Sequence, residues 1–286
     1  MTSIRLSEVR FTRMSWLKFG RTALGAAFLA AAAHGAAAQT GAEVKALIDD
    51  LVTANHILYR QGVLDGFGHV SARDPRNKDH FLMSRALAPG LVTAKDVMEF
   101  DIEGKPVDLR GRAIYSERFI HAEIYKARPD VNAVVHSHSP TVIPFSVTQV
   151  PLQPIAHTSY FLYKGAPVYE IRKAGGVTNM LVSNNALGKA LAETLGGSVV
   201  VLLRGHGNAI VAPNIGMAVT RAIYTEVNAK LQMQAMALGG PITYISKEEG
   251  EKMDAGRREV RAGHGEDRTW AMWKTEAEGK APGKAR

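Results

Sequence analysis

The sequence predicts an α/β fold: a three-layer α/β/α domain whose mostly antiparallel central sheet is covered by helices on both faces. Three observations carry this expectation. Short apolar runs of strand character alternate with longer segments of helical period. The links among the strands are of hairpin length, which joins antiparallel neighbours. No repeat or internal linker divides the 286 residues, and 46% of them are hydrophobic, enough for one large core.

The elements follow in order. Residues 1–38 read as a cleaved export signal. Five Lys or Arg stand there against one acid, and Arg10, Arg13, Lys18 and Arg21 precede an uncharged, Ala-rich stretch ending Ala36-Ala37-Ala38-Gln39. The stretch is short and interrupted by Gly25, His34 and Gly35, which speaks against a stable membrane anchor. The leader has no Arg-Arg pair and the chain no cysteine, so neither twin-arginine export nor a lipid anchor is indicated. The expected location is periplasmic or secreted. The main domain is expected over residues 40–240, with a C-terminal extension over 241–286 whose end is expected to be disordered.

Val44, Leu47, Ile48, Leu51, Val52, Asn55 and Leu58 make a helical stripe that Gly62 and Gly66 end. Gly68 to Arg73 and Phe81 to Ser84 read as strands. Thr93 is placed to cap a helical turn through Asp96. Val97 to Phe100 and Val107 to Leu109 flank Glu103-Gly104 as a hairpin. A helix from Ser116 to Ala127 must stop before Pro129. Ala133 to His138 is a strand, and 150–170 is irregular and rich in proline and aromatics. Ser183 is expected to cap a helix through Leu195. A strand from Val199 turns at Gly205-His206-Gly207 and returns to Ala212, before a long helix from Ile215 to Leu238.

The net charge of +8 sits about half in the first 38 residues. No Lys/Arg block with interleaved aromatics appears, so a nucleic-acid partner is not indicated. Without cysteine there are no disulfides or thiolate ligands, and any metal must be held by His, Asp or Glu.

His136 and His138 point from one face of a strand, because side chains alternate along it. His206 ends another buried strand. Three imidazoles with an open fourth position suit a catalytic divalent ion. Glu117, at the start of the preceding helix, is the candidate carboxylate. It suits either the helix dipole or a nearby metal. His121 lies four residues on, on the same helix face, and reads first as a packed or hydrogen-bonded histidine.

Ser116-Glu117-Arg118-Phe119-Ile120-His121, the run from Arg128-Pro129-Asp130 through His136-Ser137-His138, and Gly205-His206-Gly207 together resemble the class II aldolase and adducin family. The resemblance covers roughly residues 44–238. It implies a tetramer with active sites at subunit contacts, His136, His138 and His206 as metal ligands, and Glu117 as acid/base. Epimerase members carry Asp at the last position, so Glu117 points to C–C cleavage. Phosphosugar members hold phosphate with a Gly-Asn-x-Ser loop. Here Gly68-His69-Val70-Ser71 stands instead and is closer to the decarboxylase-like branch. Ser84 matches the second phosphate-loop region, but Arg85 follows, and Arg suits a planar carboxylate. His157 matches a histidine that a catalytic tyrosine follows in the sugar-phosphate aldolases. Here Thr158 follows, leaving Tyr160 or Tyr163 to supply a phenol.

The expected activity is therefore metal-dependent C–C lysis, by aldol cleavage or decarboxylation. The substrate is a small non-phosphorylated hydroxy- or oxo-carboxylate, reacting through a metal-stabilised enediolate with Zn²⁺ or Mn²⁺. Expected substrate contacts are Gly68, His69, Ser71, Ser84, Arg85, His157 and Tyr160. A non-catalytic scaffold module and a hydrolase using metal-activated water are the other classes these residues allow.

Overall fold

The computed structural model describes residues 21–264 and 268–279, with side chains described over 41–256 and 268–279. The basic part of the expected leader before Arg21, and the tail from residue 280, lie outside them. The chain divides into a unit of residues 1–43 and a main unit from Val44 onward. Helix α1 spans Arg21–Arg60. No helix among the described residues is long and apolar enough to cross a membrane.

The main unit is built on a seven-stranded sheet of order β3-β2-β1-β4-β7-β6-β5. Its strands are β1 His69–Arg73, β2 His80–Ser84, β3 Val97–Asp101, β4 Ala133–Ser137, β5 Val168–Tyr169, β6 Val200–Leu203 and β7 Gly207–Ala212. Every neighbouring pair is antiparallel except β5 with β6. All residues of β1, β4 and β7 are buried, so both faces of the sheet centre are covered, as a middle layer requires.

On the covering layers, α2 (Arg118–Ala127) packs on α5 (Asn185–Leu195), with the short α3 (Ile143–Val147) and α4 (Ile171–Gly175) between them in sequence. Helix α6 (Ile215–Leu238) runs along β4 and β7. The extension folds back as α7 (Lys247–His264) and α8 (Arg268–Ala277). In α8, Trp270 and Trp273 enter the core and Lys274 Nζ reaches Asp50 Oδ1 at 2.7 Å.

Three details differ from the sequence expectation. Residues 107–109 form no strand, and only a bridge joins Phe100 to Pro106. Val107 and Leu109 face solvent, so burial gives them no reason to extend the sheet. The cap of α5 is Asn184, whose side chain accepts from Leu187 N, one residue beyond the expected Ser183. The irregular 150–170 region holds a 3₁₀ stretch, His157–Lys164, and the two-residue edge strand β5. Thr93 does cap its turn, through a capping box with Asp96.

The approach of α5 to α2 depends on Gly188. A Cβ there would lie 2.5 Å from the Phe119 carbonyl oxygen and 2.9 Å from Glu123 Cγ. Replacing Gly188 with Ala raises intrinsic helix propensity by about 1 kcal/mol, yet it must separate two helix backbones. The overpacking cost, about 1–3 kcal/mol, prevails. The expected result is a lower urea midpoint for Gly188→Ala. An unchanged or higher midpoint contradicts the close crossing.

Candidate metal centre

Strand β4 brings His136 to the sheet centre, where it stands opposite His69 on β1 and Ala209 on β7. His138 follows just past the strand end. His206 sits in the tight β6–β7 turn, with Gly205 at φ +63° and His206 N donating to Leu203 O. Gly207 has to be glycine: a Cβ there would lie 2.0 Å from the Ser137 carbonyl oxygen. The absence of that one carbon lets the second turn lie against the end of β4.

Glu117 is the N-cap of α2, but its side chain makes no capping bond. Its Oε1 accepts instead from Val182 N at 2.9 Å, and its Oε2 lies 3.5 Å from His136 Nε2 and 3.4 Å from His206 Nε2. The dipole reading of Glu117 is thus secondary to its place among the histidines. One ligand atom from each of Glu117, His136, His138 and His206 can be chosen so that all lie within 4.8 Å of one another.

The orientation of the three rings has a common cause. Each Nδ1 meets an oxygen that can only accept. His136 Nδ1 faces Asn208 O at 2.9 Å, His206 Nδ1 faces Met180 O at 3.1 Å, and His138 Nδ1 lies 3.2 Å from both carboxylate oxygens of Asp65. The proton of each neutral ring is therefore held at Nδ1, and the Nε2 lone pairs face the cluster. His138 Nε2 and His206 Nε2 are only 3.0 Å apart, and His136 Nε2 is buried with no hydrogen-bond partner among the described residues. Such a set of lone pairs beside a carboxylate fits a shared cation. Burial pushes the Glu117 carboxyl up, but the His136 and His206 rings beside it outweigh this and hold it well below the usual range. Burial pulls His138 down, whereas at His206 the Glu117 carboxylate overcomes burial and raises it.

Two of these partners carried no sequence signal. Asp65 lies in the loop before β1, and its Oδ1 also accepts from Phe67 N and Gly68 N. Met180 adopts φ +68°, a left-handed conformation costing a β-carbon residue about 1–3 kcal/mol. That backbone conformation accompanies the carbonyl contact to His206.

The expected substrate contacts are placed as follows. Gly68 makes room for the β4 backbone: its Cβ would lie 3.0 Å from His136 O. His69 is buried, its ring centroid 5.1 Å from that of His136. Ser71 is turned under α2 and spends its hydroxyl on His121 and Tyr125, so its nearest role is internal. Ser84 is buried, its hydroxyl next to the Tyr115 phenol. Arg85 Nε binds Asp96 Oδ1 at 2.6 Å. His157 is exposed and Tyr160 buried in the 3₁₀ stretch, which packs on α6 and α7. Tyr163 is pressed against Gly250 of α7. His121 joins the hydrogen-bonded interior and not the four-residue cluster.

Comparison with known proteins identifies the family. The model of the class II aldolase and adducin N-terminal domain matches residues 49–233. The decarboxylase tropJ of Talaromyces stipitatus is 42% identical over 200 residues, 65% of this chain and 75% of that protein. A 3,4-dihydroxyphthalate decarboxylase of Arthrobacter keyseri is 30% identical over 207 residues, 67% of this chain and 79% of its own. Among solved structures, an L-fuculose 1-phosphate aldolase from Glaciozyma antarctica is similar with TM-score 0.68 and 27% identity, over 84% of this chain and 91% of that one. The sheet, the ordered motifs and these matches agree: the chain belongs to the class II aldolase and adducin family.

Proposed function

We propose that this protein is a metal-dependent carbon–carbon lyase that decarboxylates a small, non-phosphorylated hydroxy- or oxo-carboxylate. Aldol cleavage is the related alternative. The observation that carries the reading is the convergence of three acceptor-locked imidazoles and Glu117 on one point. The decarboxylase relatives favour loss of CO₂ over release of an aldehyde, and aromatic hydroxy-acids are the first substrates to try.

His136, His138 and His206 would hold a divalent ion through Nε2, with Glu117 Oε2 adjacent. Zn²⁺ is favoured for this nitrogen-rich set, and Mn²⁺ is the alternative. Such an ion acts as a Lewis acid, stabilising the negative charge left on the substrate when its C–C bond breaks. The chain's own groups do the rest. Glu117, clamped at Oε1 by Val182 N and ionised at rest, would use Oε2 to take a proton from the substrate hydroxyl or from solvent and pass it to the carbon that loses CO₂. Arg85 is steadied through Nε, and its terminal nitrogens make no hydrogen bond among the described residues, which suits a forked grip on a carboxylate. His69 in place of the phosphate-loop Asn speaks against phosphosugars. We further propose a homotetramer with interfacial active sites, and export with cleavage after Ala38. Light scattering and N-terminal sequencing of the mature protein test these two.

The central test combines metal analysis with a panel of non-phosphorylated hydroxy-acids and catechol carboxylates. The expected outcome is one bound divalent ion, CO₂ release, and loss of turnover on chelation with recovery on adding metal. Release of a carboxylic acid from an ester or amide instead would favour the hydrolase, and a folded, metal-free, inert chain the scaffold. Glu117→Gln is expected to retain metal and lose turnover by about 10²-fold or more. Normal turnover by that variant removes Glu117 from the chemistry.

Asp65 gives an independent prediction. Asp65→Ala removes the bonds its carboxylate accepts from Phe67 N and Gly68 N, so the unfolding free energy should fall by about 1–2 kcal/mol with the fold kept. Without its carboxylate His138 loses its orientation, and affinity for Zn²⁺ should fall about 10- to 100-fold. Competition with a chromogenic chelator measures this, and an unchanged affinity contradicts the role.

A further inference from the structure

Behind the candidate metal centre lies a chain of four buried polar side chains that the proposed chemistry does not use. Tyr125 Oη and Ser71 Oγ are 2.7 Å apart, Ser71 Oγ and His121 Nδ1 2.5 Å, and His121 Nε2 and His69 Nδ1 2.7 Å. All four residues are at most 1% exposed. Phe81 stacks along His121, and the Arg73 guanidinium lies over the Tyr125 ring. Burying so many polar groups is costly unless each is satisfied, and a chain of hydrogen bonds can run in only one direction at a time.

The direction follows from its closed end. The Tyr125 hydroxyl has Ser71 as its one acceptor among the described residues, so a chain running the other way would bury an unsatisfied phenolic proton. Tyr125 must therefore donate to Ser71, Ser71 to His121 Nδ1, and His121 Nε2–H to His69 Nδ1. Burial keeps the Tyr125 phenol protonated and lowers His121 to about 3, so each link carries one proton. His69 then receives at Nδ1, and its own proton is at Nε2. The two ring nitrogens diverge, so Nε2 faces away from His121. It makes no hydrogen bond among the described residues, and the ring lies beside His136 and 4.4 Å from the Tyr115 ring.

We propose that His69 presents a fixed Nε2–H donor to an oxygen of the substrate held at the His136, His138 and His206 cluster, with Tyr125, Ser71 and His121 as the positioning residues that dictate its tautomer. The substrate group met there is one that accepts, a carboxylate or carbonyl oxygen. This donor is set before substrate arrives, as a donor that stabilises developing negative charge has to be. The identity of the substrate rests on the lyase reading, whereas the tautomer does not.

The test has two arms. In the full chain labelled with ¹⁵N-histidine, with and without added Zn²⁺, imidazole ¹⁵N shifts should report His69 as the Nε2–H tautomer. In Tyr125→Phe that preference should be lost or reversed. An Nδ1–H His69 in the parent protein overturns the proposal. In the second arm, Tyr125→Phe should lower kcat about tenfold with metal content and KM little changed. His69→Gln, whose amide reaches towards the Nε2 position, should retain more kcat than His69→Asn. Equal activity of all three variants and the parent overturns the donor role. If Tyr125→Phe does not fold, Ser71→Ala breaks the same chain and is read in the same way. Failure of the parent to turn over any carboxylate would sink the lyase reading and leave the tautomer to be decided by the ¹⁵N measurement alone.

Discussion

The site depends on one constraint: each imidazole of the four-residue cluster has its far nitrogen tied to an oxygen that cannot donate. A free histidine ring chooses between two tautomers and rotates, whereas these three are settled before any cation arrives. Two of the three oxygens, from Asn208 and Met180, belong to the main chain and move only with the fold. The third, from Asp65, is a side chain on an exposed loop. Orientation of His138 is thus the least protected, and it is also the most accessible of the three rings.

That arrangement is kept at the expense of local rules. The first turn of α2 forgoes a capping bond, which typically gives about 1 kcal/mol, because Glu117 is turned towards the histidines. Met180 holds a backbone conformation that suits glycine. His136 keeps a buried nitrogen that makes no hydrogen bond among the described residues, with Glu117 Oε2 3.5 Å away. Three departures around a single point indicate that local stability has been given up there for function. The sheet enforces the geometry from its other side, where Ser137 Oγ donates to Asn208 Oδ1 at 2.7 Å and locks β4 to β7. A slip of one residue would carry His136 to the opposite face.

What the sequence disclosed and what it hid follow from the range of each interaction. The paired histidines of β4 were legible because a two-residue period is local. The Gly-His-Gly turn and Glu117 were legible through ordered motifs, and the alternation of elements foretold the antiparallel sheet. Asp65 and Met180 were not, because their roles exist only once loops 73 and 26 residues away from their histidines are brought beside them. Ser71 was read as a substrate contact from its place in the Gly68-His69-Val70-Ser71 motif. A motif gives the position but not what a helix laid over it will bind. The extended 107–109 segment failed for a related reason: its apolar residues found nothing to bury against.

The depth of the polar chain comes from a match between two periods. Four residues of helix advance about 6.0 Å and two residues of strand about 6.6 Å. Glu117, His121 and Tyr125, spaced by four along α2, can therefore meet rows of strand residues spaced by two. Glu117 stands opposite His136, His121 meets both His69 and Ser71, and Tyr125 meets Ser71 one turn deeper. Each helical turn away from the Glu117 and histidine cluster is more purely a matter of hydrogen-bond direction. One helix face thus supplies a carboxylate at the cluster and a phenol at the closed end, with the histidine between them carrying the orientation forward. The Asn of the phosphate loop cannot end such a chain in the same way. An amide presents donor and acceptor side by side, whereas an imidazole receives at one edge and donates at the other. Substitution of His69 at this position therefore changes more than the size of a pocket. It couples the far edge of the imidazole to a buried phenol through His121 and Ser71.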